Sequence, residues 1–209
     1  REEHALEVAG RFPTKPLEAL AADYPGVDLS AFGRGVTSEH MTGYGAVVNG
    51  VNYVGPCRTR YGPYAYCDQM RMPSYSTAKS ILAAGALMRL AQRYGESVAD
   101  SLIADFLPEV DHAVGDWSRV TLNHTLDMAT GNYRSDVFMA DEDSRQTGDF
   151  WDTESYADRM AAALRWPHSA RPGTRWVYHT SDTFVLVGAM QNLLQTREGP
   201  EADLWDFFL

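Results

Sequence analysis

At 209 residues and 44% hydrophobic, the chain is long enough to bury a core as one domain, or as one domain carrying a subdomain. It has no apolar run of about 18 residues or more, the length a membrane-spanning helix needs. A formal net charge of −10 with no basic cluster argues against nucleic acid and anionic membrane surfaces as partners, and is easier to reconcile with a small neutral or cationic substrate.

Residues 1–42, rich in Pro, Gly and small side chains, read as an irregular lead-in with one helix near Pro16–Tyr24. The opening REEHALEVAG has neither the charged start nor the apolar stretch of a signal peptide, and a mature form would lack both as well, so export stays open. In YGAVVNGVNYVG, Asn49-Gly50 stands between two apolar runs, the strongest short-range hairpin signal, and predicts two antiparallel strands. Cys57 and Cys67 flank a predicted turn centred on Tyr61-Gly62-Pro63-Tyr64. They are either a local disulfide, which would suit a periplasmic or secreted protein, or two free thiols in a cytoplasmic one. No second Cys or His pair sits at ligand spacing, and His4, His40, His112, His124, His168 and His179 are scattered, so no metal site is expected.

From Ser76 to Tyr94, the residues Ile81, Leu82, Leu87, Met88, Leu90 and Ala91 fall at helical spacing, predicting a long, largely buried helix ended by Gly95. The segments 97–110, 121–131 and 153–166 read as short helices, with residues 96–175 forming a helical subdomain. Residues 180–195 read as another apolar helix, and an aromatic, acidic loop over 136–156 is expected to line or cover a cleft, its carboxylates favouring a cationic amine.

At the head of the first of these helices stands Ser76-Thr77-Ala78-Lys79. Residues i and i+3 share a helix face, which brings Ser76 and Lys79 within contact distance. A serine hydroxyl is a poor nucleophile unless a neighbouring base takes its proton, and a desolvated lysine can be that base. A helix N-cap followed by a solvated lysine would look the same. The chain has only two lysines against sixteen arginines, however, and Lys79 lies in an apolar run. Arginine stays protonated and cannot serve as a base, whereas lysine can.

Three segments taken together, STAKS (76–80), VTLNHTLDMATGNYRS (120–135) and RPGTRWVYHTSDTFVLVG (171–188), resemble the serine hydrolases of the penicillin-binding-protein and class C β-lactamase family, above all its esterase and 6-aminohexanoate-dimer hydrolase branch. The resemblance spans roughly residues 43–208 and implies an α+β fold of the β-lactamase/transpeptidase type, an antiparallel sheet flanked by helices, with residues 43–209 as the hydrolase domain. It further implies Ser76 as nucleophile, Lys79 as general base and Tyr178 as the proton shuttle to the leaving group, acting on a small ester, amide or peptide without a cofactor. Without the resemblance, Tyr178 beside Trp176 and Val177 would read as a packed aromatic. Thr180 and Ser181 are the substrate-binding candidates: Ser181-Asp182-Thr183 is similar to the S-D-N element of class A β-lactamases. Thr180 stands where class C enzymes have an asparagine, which counts against β-lactam hydrolysis.

The family's third element, a Lys-[Ser/Thr]-Gly or His-x-Gly triplet, has no counterpart after Tyr178. The final EADLWDFFL reads as an amphipathic helix whose Leu204, Trp205, Phe207 and Phe208 are expected to lack packing partners. The chain is therefore expected to be the N-terminal part of a domain completed by a C-terminal remainder. The incomplete motif set leaves a non-catalytic ligand-binding member of the family as the alternative.

Overall fold

The structure, a computed structural model, describes residues 2–67, 70 and 72–209. The chain divides into two compact units, residues 1–73 and 74–209.

In the first unit, α1 (Glu2–Ala9) is followed by β1 (Thr14–Pro16), α2 (Ala19–Asp23), β2 (Gly45–Val48) and β3 (Val51–Val54). Asn49 and Gly50 join β2 to β3 with φ of 49° and 75°, the left-handed pair that a two-residue hairpin requires. The expected antiparallel pair is present, with Val48 opposite Val51 and Gly45 opposite Val54. The region read as irregular adds β1, which joins β3 in parallel and makes a mixed three-stranded sheet of order β1-β3-β2. Leu17, Leu20 and Tyr53 form the buried centre of this unit. Cys57 and Cys67 are joined as a disulfide across a small ribbon, β4 (Arg58–Thr59) and β5 (Gly62–Pro63), which settles the choice between disulfide and thiols.

The second unit is helical. A π-helical stretch, Lys79–Ala84, continues as α3 (Gly85–Tyr94), and Gly95 ends it at φ 101°. Only one face of this helix is buried, through Ala83, Ala86, Leu87 and Leu90. Ile81 and Met88, predicted to be interior, are 58% and 72% exposed, because they lie off the face that Ala83, Ala86, Leu87 and Leu90 pack into the core. The segment 97–110 is not α-helical but a succession of 3₁₀ turns, Glu96–Asp100, Ile103–Asp105 and Pro108–His112. Its backbone bonds elsewhere: the Ile103 N–H reaches the Val120 carbonyl and the Leu122 N–H the Ser101 carbonyl.

There follow α4 (Leu122–Leu126), α5 (Arg145–Trp151), α6 (Tyr156–Ala163), α7 (Thr180–Glu198) and α8 (Leu204–Phe208). Within the stretch read as loop, α5 is started by Ser144, whose hydroxyl accepts the Thr147 N–H. Val185, Leu186, Ala189, Met190, Leu193 and Leu194 of α7 are fully buried and form the centre of the core, against Leu90, Ile103, Leu107 and Leu122. The expectation of unpartnered side chains in α8 is corrected: Leu204 is buried, Phe207 stacks on Tyr94 at 6.2 Å, and Phe208 lies against Gly85 of α3. Trp205 alone of the four is exposed. The fold is α+β.

Two connections decide where Tyr178 lands. Gly131, at φ 79°, passes so close to the next segment that a Cβ there would lie 2.0 Å from the Ala170 carbonyl oxygen. Its own carbonyl accepts the N–H groups of Ser169 and Ala170, and farther along the Gly173 N–H bonds Ala129 O and the Val177 N–H bonds Met128 O. The two motif segments thus run side by side and deliver Tyr178 to the start of α7. Gly131→Ala is expected to destabilise the second unit by roughly 3 kcal/mol or more, since clash and a strained φ act together. Chemical denaturation of wild type and variant measures this.

Candidate functional site

Ser76 lies at the turn that opens the π-helical stretch, immediately after Tyr75, a non-glycine residue at φ 45°. Left-handed backbone at a bulky residue is strained, and strain of this kind is held in place by surrounding structure, often at functional sites. The wide turns of Lys79–Ala84 are a second such feature.

The hydroxyl of Ser76 is exposed and has two partners among the described residues. The Lys79 ammonium donates to its Oγ at 2.8 Å, and the Tyr178 hydroxyl donates to it at 2.6 Å. Lys79 also donates to the Tyr178 oxygen at 3.0 Å, closing a triangle whose third corner, Tyr178, lies 99 residues beyond Lys79 in the chain. Burial raises the pKa of the Tyr178 phenol, but the hydrogen bonds with Lys79 and Ser76 and the ammonium charge outweigh it and hold the phenol below its ordinary range. Any of the three groups can pass a proton to another without a further carrier. The triangle opens onto a cavity of about 640 Å³, bordered also by Met128, Gly173, Arg175 and Trp176.

Thr180 and Ser181, the candidate substrate-binding residues, do not border that cavity. The Thr180 N–H donates to Glu142 at 2.9 Å and its hydroxyl donates to the same carboxylate. Ser181 is buried and accepts the Trp166 indole N–H at 3.1 Å. Both belong to a layer behind Tyr178 that sequence reasoning missed. At its centre is His179, buried, stacked on Trp166 at 4.3 Å, with Nε2 3.0 Å from Asp141 and Nδ1 3.8 Å from Asp182. Asp141 also accepts the N–H groups of Arg134 and Ser135.

Three of the carboxylates expected to attract a cation are used internally: Asp141 on His179, Glu142 on Thr180, and Asp136 on Arg175 at 2.6 Å. A signal was available in the clustering of these acids, but nothing in their spacing names their partners.

Burial alone would lower the His179 pKa; the Asp182 and Asp141 carboxylates reverse this and raise it. Burial, with Glu142 nearby, pushes the Asp182 carboxyl up against the lowering influence of His179. Both groups hold protons more tightly folded than unfolded. The His179 contribution to stability is thus fully present below about pH 6.5, its unfolded pKa, and is lost as pH rises through the higher folded value. Asp182 slopes the same way, beginning at lower pH. The melting temperature is expected to fall between pH 6 and pH 8, and His179→Gln is expected to flatten that fall; thermal scans across the range test both.

A family model for beta-lactamases matches residues 21–193, which includes all three corners of the triangle. The chain belongs to the beta-lactamase family. Members of the beta-lactamase family are usually serine hydrolases acting on small-molecule substrates. No curated protein matches the chain.

Proposed function

We propose that this member of the beta-lactamase family is a serine hydrolase that cleaves an ester or amide through an acyl-enzyme on Ser76. The closed Ser76–Lys79–Tyr178 triangle at the mouth of a cavity carries this reading. The step needs one neighbour unprotonated, Lys79 as its amine or Tyr178 as phenolate held by the Lys79 ammonium: Ser76 Oγ attacks the substrate carbonyl carbon as its proton passes to that group. The tetrahedral adduct collapses by breaking the bond to the leaving group, which takes a proton from the Tyr178 hydroxyl. Water then attacks the acyl-enzyme by the reverse proton path, releasing the acid and regenerating the Ser76 hydroxyl. The phenol's depressed pKa makes it a readier proton donor to the leaving group than an ordinary tyrosine.

The Thr180 N–H and hydroxyl both bond Glu142, which favours an ester or linear amide over a β-lactam as substrate. The Cys57–Cys67 disulfide suits work in an oxidising compartment such as the periplasm or the exterior.

Treatment with a fluorophosphonate probe followed by intact mass and peptide mapping tests the assignment. One adduct on Ser76 is the expected result. No adduct would leave a non-catalytic ligand-binding module as the better reading. A panel of p-nitrophenyl esters, a chromogenic cephalosporin and linear amide oligomers then separates the substrate classes, with ester turnover expected to be the fastest.

A further inference from the structure

Outward from Tyr178 runs a line of aromatic rings that the triangle does not use. Trp176 lies 6.2 Å from Tyr178, centroid to centroid, and borders the same cavity as Ser76. Phe138 stacks on Trp176 at 6.1 Å with the planes only 18° apart. These are large apolar side chains left open to solvent, Trp176 at 53% and Phe138 at 73% exposure. Exposed rings beside a reactive centre call for an explanation that scattered surface apolar residues do not.

The rings are also held in place. The Arg175–Asp136 ion pair, 2.6 Å long, ties the residue before Trp176 to the loop that carries Phe138. Buried Asp141, through the N–H groups of Arg134 and Ser135, fastens that loop where it begins. Met139, at φ 64°, turns the chain directly after Phe138.

We propose that Trp176, backed by Phe138, is a subsite for a flat, uncharged aromatic group on the leaving-group side of the substrate. The side follows from the order of the rings: they continue from Tyr178, the group assigned to protonate the leaving group, and not from the Ser76–Lys79 edge. The proposal rests in that respect on the function proposed above. Charge selects a neutral group over an amine. Besides Tyr178, the ionisable side chains bordering the cavity are Lys79, Arg175 and Asp127; Arg175 is already paired with Asp136, so the lining carries no net negative charge to hold an amine. Stacking on an indole then supplies attraction that an alkyl group of similar reactivity does not receive.

Ethyl acetate and benzyl acetate, which share an acyl group and have leaving alcohols of comparable acidity, test this against methyl acetate and methyl phenylacetate, which place the ring on the acyl side. The wild type is expected to favour benzyl over ethyl acetate in kcat/KM by about tenfold, and Trp176→Ala to remove most of that preference while Trp176→Phe keeps part of it. The methyl phenylacetate to methyl acetate ratio is expected to be the same in all three proteins. A benzyl preference untouched by Trp176→Ala, or an equal change on the acyl-side pair, overturns the subsite. The rate of fluorophosphonate labelling at Ser76, followed in each variant, separates a misfolded protein from one that has lost only the ring. Should the wild type fail to label or turn over any ester, the hydrolase reading falls by itself, and equilibrium binding then decides the subsite. Benzyl alcohol is expected to quench tryptophan fluorescence in wild type but not in Trp176→Phe, and the same quenching in both proteins refutes it.

Discussion

Ser76→Ala is expected to abolish the fluorophosphonate adduct and to cut ester turnover by roughly 10³- to 10⁶-fold, the range seen when a nucleophile is removed and only binding and polarisation remain. The fold is expected to survive unchanged. Among the described residues the exposed Ser76 hydroxyl bonds Lys79 and Tyr178, and these two share a hydrogen bond of 3.0 Å that does not involve it. Exposed substitutions of this kind shift stability by no more than about 0.5 kcal/mol. Turnover and melting temperature on the same preparation therefore separate chemistry from folding. Activity within a few fold of wild type would show that another group attacks the substrate.

The second large effect is expected from Tyr178→Phe. Loss of the phenol oxygen removes one corner of the triangle but leaves a ring that can still face Trp176, and a general acid at this position is worth roughly 10²- to 10⁴-fold. The loss is expected to depend on the leaving group. p-Nitrophenolate departs without a proton, whereas an alkoxide from ethyl acetate needs one, so the penalty should be larger for ethyl acetate. Equal losses on both esters, or a change in melting temperature alone, would mark Tyr178 as packing.

Much of this site is legible in the residues themselves because it is built from local patterns. Ser76 and Lys79 are three apart on one helical segment, and their contact follows from helix geometry alone. Asn49-Gly50 specifies its own hairpin, since the turn demands left-handed backbone at both positions. Tyr178 is different: no spacing rule relates it to Ser76, and only the likeness of three segments to a known family pointed there. In the fold it is delivered by Gly131 and Gly173, which allow two segments to approach more closely than any side chain permits.

Alone, the chain determined its strongly periodic helices, the hairpin, the Ser76–Lys79 pair and its acidic, lysine-poor character. Tertiary structure decided the rest. It chose which face of the Ser76–Tyr94 helix is buried, turned 97–110 into 3₁₀ turns by giving its backbone long-range partners, and packed Phe207 on Tyr94. It also converted an acidic loop from a cation lure into the brace of His179 and Thr180, and set Trp176 at the rim of the cavity. The physical reason is range: helix and turn preferences act over a few neighbouring residues, whereas a buried charge takes whichever partner the fold brings to it, and sequence separation carries no information about that choice.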